Sequence, residues 1–181
     1  MRIPTPLLKA SNFQQRFSVN VWCAVLDDQL IGPFILEGRL IGETYLRFLQ
    51  EELPQLLEDV PLDKWSRMYF QQDGAPPHSS RGVTNFLKYH FPGRWIGHCG
   101  PHHRPASSPD LSSPDYCVWG RMKELVFNMK VAKRDALLSR ILDAADHIRN
   151  NQLKLLRATH AVHNQVAACV AAGGGIFKNQ L

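Results

Sequence analysis

The sequence predicts an α/β fold, and three observations carry this prediction. Residues 17–26 and 29–37 show the alternating or continuously apolar patterns of two paired strands. A further apolar run begins at Met68 and has to end near Asp73, because glycine and proline follow at once. Between and after these segments, apolar residues recur at the three- and four-residue spacing of helices. A chain of 181 residues with 44% hydrophobic content suits one domain.

The first two strands are expected to form an antiparallel hairpin. Asp27 and Asp28 separate them and are common turn residues, so both acids are interpreted as parts of the turn. The next segment, 43–57, predicts a helix that Pro54 kinks or splits, because proline removes a helical hydrogen bond. The apolar face of this helix is formed by Tyr45, Leu49, Leu53 and Leu56.

Strands and helices continue to alternate downstream. The strand that ends at Asp73 is followed by a helix, by a short strand around Trp95 and Ile96, and by a helix that starts near Asp115. Two amphipathic helices follow, and the second is expected to end at Gly173–Gly175. The apolar positions of these helices are Val83, Phe86, Leu87 and His90 in the first, then Leu137, Leu138, Ile141, Leu142, Ala145 and Ile148, and finally Leu155, Val162 and Val166.

Two aspartates are placed as ligands or catalytic groups would be. Asp73 is left at the open end of a strand, where ligands of open α/β sheets gather. Ser113 suits an N-cap and Pro114 the first helical position, so Asp115 falls in the first turn of a helix that continues through Val118, Trp119, Met122 and Leu125. Each acid also has a purely structural reading, since Asp before Gly commonly forms a turn and a first-turn Asp complements the helix dipole.

Read together, the two acids predict a metal site. Neighbouring carboxylates repel each other unless a cation neutralises them, and hard oxygen ligands favour Mg²⁺ or Mn²⁺. We therefore expect Asp73 and Asp115 to lie close together on the same rim of the sheet. A strand end and a helix start that carry such acids are typical of a two-metal nuclease site.

The charge of the chain favours a polyanionic partner. The net charge is +5 and the isoelectric point is about 9.2. His78, just after the Asp73 turn, is a candidate contact to DNA phosphate or a loop residue without a function. No apolar stretch is long enough to predict a membrane span. The densest basic run, which tracks a DNA backbone or forms a solvated helix face, consists of Arg121, Lys123, Lys130, Lys133 and Arg134.

Seven phrases of the sequence form a recognisable series. They are Gln14–Trp22, Leu30–Phe34, Phe70–His78, Phe91–Gly97, Ser108–Leu111, Pro114–Gly120 and the Gly-Gly-Gly-Ile-Phe near the C-terminus. They resemble the phrases of mariner-type transposases, whose catalytic domain is called DDE or DDD after its acids, and they run in the family's order over nearly the whole chain. By this resemblance Asp73 corresponds to the second catalytic acid and Asp115 to the third.

The resemblance implies a ribonuclease-H-like fold, a mixed sheet with flanking helices, and DNA cut-and-paste transposition in the nucleus. Two Mg²⁺ or Mn²⁺ ions would serve cleavage and strand transfer, and the partners would be transposon ends, target DNA and a possible second copy of the chain. The first catalytic acid of the family lies on a central strand upstream of Gln14, and residues 1–26 contain no Asp or Glu. The chain is therefore expected to lack that N-terminal strand and to be inactive alone.

The expected organisation has three parts. Residues 1–16 form an irregular lead-in, residues 17–127 a truncated catalytic domain, and residues 128–181 a helical extension of the same domain. Two alternatives stay open: a domesticated, non-catalytic module that binds DNA or protein, and a transposon relic without a function.

Overall fold

A β-hairpin forms the centre of the computed structural model, which describes residues 18–103, 118–131 and 133–171, without the side chains of residues 103 and 162–171. Strands β1 (Asn20–Leu26) and β2 (Gln29–Leu36) pair antiparallel, as predicted, with a bulge between Trp22 and Ala24. Asp27 adopts a left-handed φ of 54°. Asp has a short side chain that tolerates this conformation, so Asp27 and Asp28 are turn residues as expected.

The predicted helix over 43–57 forms without a gap, and its geometry changes just before Pro54. Helix α1 (Gly42–Arg47) passes into a π-helical turn (Phe48–Glu52), and α2 (Leu53–Leu56) restarts with Pro54 in its first turn. Because proline has no N–H to donate, it is tolerated at a helix start but not in a helix interior. A further helix that the sequence did not indicate, α3 (Leu62–Arg67), follows.

A parallel sheet carries the strand that precedes Asp73. Strand β3 (Phe70–Gln71) leads through a 3₁₀ turn (Pro76–Ser79) and helix α4 (Arg81–His90) to β4 (Trp95–Gly97), which pairs parallel with β3. A short unpredicted strand, β5 (His102–His103), extends this sheet in the order β3-β4-β5. Among the described residues the strands thus form two sheets, one antiparallel and one parallel.

Three helices complete the described chain. They are α5 (Trp119–Phe127), α6 (Arg134–Arg149) and α7 (Gln152–Ala171). The predicted start of α5 around Ser113 to Asp115, the lead-in 1–16 and the glycine stop after α7 lie outside the described residues. None of the described helices combines the length and the apolar character that crossing a membrane needs.

The hairpin separates two hydrophobic cores. The aromatic core packs α1, the π-helical turn, α4 and β4 on one face, and its buried residues are Ile31, Tyr45, Phe48, Leu49, Leu53, Leu57, Val60, Val83, Leu87, Phe91 and Trp95. The aliphatic core packs α5, α6 and α7 on the other face, and its buried residues are Cys23, Leu30, Val118, Met122, Val126, Leu137, Ile141, Ala144, Ala145, Ile148 and Leu155. Helices therefore flank the strands, as the resemblance implied, but the described strands form two small sheets instead of the single mixed sheet that was expected.

Candidate catalytic and metal-binding site

Asp73 lies where the chain leaves the parallel sheet. The amide N–H of Gln72 donates to the carbonyl of Ile96 at 3.0 Å, which continues the pairing of β3 with β4 for one residue beyond the strand. Asp73 comes next, and its side chain is 56% exposed. The carboxylate is therefore at the C-terminal end of a parallel strand, the position that the sequence predicted.

The turn after Asp73 is ordered by hydrogen bonds to and around its carboxylate. Asp73 Oδ1 accepts from the backbone N–H of Ala75 at 3.0 Å. The backbone N–H of His78 then donates to the carbonyl of Ala75 at 2.9 Å within the 3₁₀ turn. This is the local bonding that makes Asp a turn former, so the structural reading of Asp73 is confirmed, and its role as a catalytic or metal-binding acid stays a prediction.

His78 contacts the same carboxylate oxygen. Its Nδ1 lies 2.5 Å from Asp73 Oδ1, and its side chain is 17% exposed. The other face of the imidazole packs on the ring of Tyr45, with the ring centroids 4.3 Å apart. His78 is thus held between an aromatic ring of α1 and the candidate acid, and it is not a free loop histidine.

Gln72 and Tyr45 join the site from the core side. The hydroxyl of Tyr45 donates to Gln72 Oε1 at 3.3 Å, and Gln72 Nε2 donates to the carbonyl of His78 at 2.9 Å. Burial raises the pKa of Tyr45 well above its usual range, so its hydroxyl keeps its proton and acts as a donor. Sequence reasoning missed both residues as parts of the site.

The second predicted acid, Asp115, lies outside the described residues, so its predicted closeness to Asp73 stays a prediction. The described chain resumes at Val118, which directly precedes α5 and is fully buried in the aliphatic core. In the described ranges no three His, Cys, Asp or Glu side chains come together as a metal site. Asp73 by its chemistry suits a hard cation, but it is one ligand, and Mg²⁺ or Mn²⁺ would need further oxygens.

The predicted basic run is spread over three elements. Arg121 and Lys123 lie on α5, Lys130 lies in the connection that follows, and Lys133 and Arg134 lie at the start of α6. All except the half-buried Arg121 are exposed. Arg121 is bound within the protein, since Nη1 is 2.7 Å from Glu124 Oε2 and Nη2 is 3.5 Å from His147 Nε2.

An apolar cavity of about 300 Å³ separates the two sheets near Asp73. Strand β1 lines one side with residues 22–26, and the opposite side is formed by Met68 to Gln71 around β3. Leu53 and Leu57 contribute further apolar surface. We call this space the inter-sheet slot.

Comparisons with known proteins identify the fold. No protein-family model matches the chain, and no curated protein matches it either. Among solved structures, the Mos1 transposase catalytic domain with raltegravir and Mn aligns with a TM-score of 0.67 at 19% identity over 88% of this chain and 83% of that one. The crystal structure of the catalytic domain of Mos1 mariner transposase gives a TM-score of 0.66 at 18% identity, over 88% and 82% of the two chains.

A complex of the same protein gives a similar result. The Mos1 mariner paired-end complex with Mn has a TM-score of 0.68 at 21% identity, over 91% of this chain and 47% of that longer one. At the level of the fold, these matches confirm the resemblance to mariner-type transposases that the sequence motifs indicated. The chain therefore has the mixed α/β fold of the catalytic domain of Mos1 mariner transposase.

Proposed function

We propose that this chain is the greater part of a mariner-type transposase catalytic domain, built for DNA cut-and-paste transposition by two-metal phosphodiester cleavage and strand transfer. The observation that carries the proposal is Asp73: a half-exposed carboxylate, held by Ala75 and His78, at the end of a parallel strand in this fold. In the proposal Asp73 and Asp115 hold the metal. Mg²⁺ or Mn²⁺ bound there would activate the attacking hydroxyl and stabilise the displacement at phosphorus.

The inter-sheet slot supports the proposed absence of a central strand. Its walls are the edges of β1 and β3 that pair with no other strand of the described ranges, and its lining is mainly apolar. Two strand edges with a gap between them are suited to accept one more strand. We propose that a strand bearing the first catalytic Asp belongs in this slot, and that the chain as given does not cleave DNA.

The proposal is tested by adding the missing element. The chain alone is compared with a version whose N-terminus is extended by an apolar strand carrying one Asp, and nicking of supercoiled plasmid is measured with Mn²⁺. We expect nicking only from the extended protein. Asp73→Asn and Asp115→Asn in the extended protein should abolish nicking while the thermal unfolding midpoint is kept.

Two results would contradict parts of this proposal. Cleavage by the unextended chain that is lost on Asp115→Asn would show that another acid completes the site. An extended protein that binds Mn²⁺ in the slot region, is folded, and does not nick DNA would contradict the transposase function itself.

We propose DNA as the partner of this chain, and in the complete enzyme the DNA would be transposon ends and target DNA. A homodimer in the nucleus is proposed from the resemblance alone. The net charge of +5 and the exposed lysines at the α5–α6 connection support DNA binding. Phosphate contacts of this kind depend steeply on salt and carry no sequence information. We expect weak association with duplex DNA without sequence preference.

This expectation has a direct measurement. The double variant Lys130→Gln/Lys133→Gln should lower the slope of log affinity against log salt by about 2, since each lost phosphate contact contributes about 0.9. Fluorescence anisotropy titrations at several salt concentrations measure the slope, and Lys88→Gln on α4 is the matched control. An unchanged slope would remove this surface from the DNA interface.

A second candidate function is a non-catalytic module that binds DNA. It is favoured by the exposed lysines at the α5–α6 connection, which can contact phosphate without any metal. A chain with salt-dependent DNA binding and no Mn²⁺ binding at Asp73, with or without the added strand, would support this candidate.

A further inference from the structure

Gln72 is the buried polar side chain of the described residues, at 7% exposure. An amide in such a position destabilises a protein unless its hydrogen-bonding groups find partners. Gln72 directly precedes Asp73 and points into the aromatic core rather than into solvent. A leucine or methionine would fill such a place without the free-energy cost of burying an amide. The hydrogen bonds of the amide are therefore expected to have a function.

The partners of Gln72 determine how its amide is oriented. A backbone carbonyl only accepts, so the NH₂ group has to face the carbonyl of His78, at 2.9 Å. The amide oxygen then faces the hydroxyl of Tyr45, at 3.3 Å. One side chain therefore links helix α1, the end of β3 and the 3₁₀ turn.

Tyr45 acts on His78 by two routes. Its hydroxyl orients the Gln72 amide that binds the His78 carbonyl, and its ring packs against the imidazole at 4.3 Å. Tyr45 itself is 2% exposed and anchored in the aromatic core. Both the backbone and the ring of His78 are consequently fixed from the protein interior, and the ring meets Asp73 Oδ1 at 2.5 Å.

We propose that Gln72 and Tyr45 are positioning residues for Asp73. They hold His78 and the turn 73–78 so that one oxygen of the carboxylate is oriented before any metal binds. This inference rests on the proposed function, in which Asp73 is a metal ligand. Partners that orient ligating carboxylates are worth roughly 10- to 100-fold in metal affinity in known metal sites.

Two glycines next to the turn indicate that the turn and the Gln72 side chain are closely packed. A Cβ added to Gly42 of α1 would lie 2.6 Å from the Cβ of Ser80, directly after the 3₁₀ turn. A Cβ added to Gly97 of β4 would lie 3.3 Å from Cγ of Gln72. The backbone of α1 at Gly42 thus lies close to the end of the turn, and the backbone of β4 at Gly97 lies close to the Gln72 side chain. Neither the turn nor Gln72 has much room to shift.

The test uses the chain as it exists and two variants that keep the shape of the side chain. Gln72→Met removes both amide hydrogen bonds, and Tyr45→Phe removes the hydroxyl while keeping the ring that packs on His78. Gln50→Met and Tyr69→Phe, at exposed positions, are the matched controls. Hydrogen exchange of the Ala75 and His78 amides reports on the turn, and paramagnetic broadening by Mn²⁺ reports on metal binding.

In the Gln72→Met variant we expect both amides to exchange about tenfold faster after correction for global stability, and Mn²⁺ to bind about tenfold more weakly. Tyr45→Phe should show a smaller change of the same sign, and it keeps the test valid if Gln72→Met does not fold. A lower unfolding temperature with unchanged corrected exchange and unchanged Mn²⁺ affinity would overturn the inference, since it would show a merely structural role.

Failure of the proposed function gives a different pattern. If Mn²⁺ broadens resonances near Asp73 neither in the unaltered chain nor in the version with the added strand, the metal site is wrong. Faster corrected exchange in the two variants would still show that Gln72 and Tyr45 hold the turn, whereas unchanged exchange would overturn the inference whatever Mn²⁺ does.

Discussion

The two faces of the β1–β2 hairpin are packed with different kinds of side chain and connect differently to the candidate site. The aromatic core holds large rings such as Phe48, Phe91 and Trp95, with Phe48 in contact with the rings of Trp22 and Phe34. The aliphatic core relies on small residues, including Ala144 and Ala145, and lets helices pack closely. Only the aromatic core reaches Asp73 through described contacts, by way of Tyr45.

This difference shows that equal burial does not mean equal influence on a site. A defect in the aromatic core is expected to reach the Asp73 turn, because rings and hydrogen bonds join them. A defect of the same size in the aliphatic core is expected to lower stability and leave the turn unchanged. The following four predictions test this contrast, beginning with the largest effect.

Leu49→Ala and Leu155→Ala should each lower the free energy of unfolding by about 2–5 kcal/mol, the range for deleting a buried leucine side chain. Leu49 is fully buried in the aromatic core and Leu155 is 2% exposed in the aliphatic core. Denaturant unfolding measures the stability, and amide chemical shifts of Ala75 and His78 measure the turn. Leu62→Ala, at an 85% exposed position, is the control.

Only Leu49→Ala should move the shifts of the turn. If Leu155→Ala moves them equally, the two cores are coupled and the contrast between them is wrong.

Gly42→Ala should cost about 1–3 kcal/mol, because the new Cβ would meet Ser80 Cβ at 2.6 Å and overpack the contact between α1 and the start of α4. Thermal unfolding measures this cost. Gly120→Ala on α5 is the control, since nothing lies within 4 Å of its added Cβ, and it should be neutral or stabilising by up to about 1 kcal/mol. Equal effects of the two substitutions would show that the close approach at Gly42 relaxes freely.

Arg140→Met should cost about 1–2 kcal/mol on the aliphatic side. The Arg140 guanidinium donates to the carbonyl of Val126 in the last turn of α5 and to the carbonyls of Met129 and Lys130 just after it, so it ties the start of the connection to α6. Unfolding in urea measures the loss, with the exposed Arg157→Met as control. A loss no larger than that of the control would mean that water replaces Arg140 at these carbonyls.

Cys23 should make stability fall with rising pH on the alkaline side. Burial raises the pKa of its thiol from 9.0 to about 12, and Arg149 opposes the rise. The folded chain therefore holds this proton between pH 9 and 12 while the unfolded chain releases it. The contribution to stability is complete below pH 9 and is lost as the pH rises towards 12.

At pH 10 the loss attributable to Cys23 should be about 1 kcal/mol relative to pH 7. Urea unfolding of the parent chain and of Cys23→Ala at both pH values measures it as the difference between their two declines. The exposed Cys99→Ala is the control. Parallel declines in the parent and Cys23→Ala would show that the Cys23 thiol is not protected by burial.

The elements that sequence reasoning predicted have strong local signals. Alternation around Asp27 and Asp28 is sufficient for the hairpin, and Gly74 with two prolines is sufficient to end a strand at Asp73. Pro54 disturbs its helix because it has no N–H to donate, which is a property of that one residue. These features are determined by the conformational preferences of residues that are adjacent in the sequence, so they can be predicted without knowing the tertiary contacts.

The missed features depend on contacts between distant segments or lack a periodic signal. Tyr45 lies 27 positions before its partner Gln72 and has the appearance of an ordinary core residue. Helix α3 presents Leu62 to solvent and has no apolar stripe, and β5 consists of two histidines. His90, expected on the apolar face of α4, is exposed and stacks on Phe86 at the rim of the core.

The hairpin tip has a consequence for anyone who wishes to label or tag this protein. Tips of hairpins usually accept insertions. Here the tip is fastened from both sides, because Asp27 Oδ2 lies 3.0 Å from Lys64 Nζ of α3 and the Asp27 carbonyl accepts from Thr159 Oγ1 of α7 at 2.8 Å. A dye or tag inserted there would loosen two helices at once. The loop at Gly38 has nothing within 4 Å of an added Cβ, and the Asn20 side chain that donates to its carbonyl at 2.8 Å belongs to the hairpin itself, so an insertion there disturbs less of the fold.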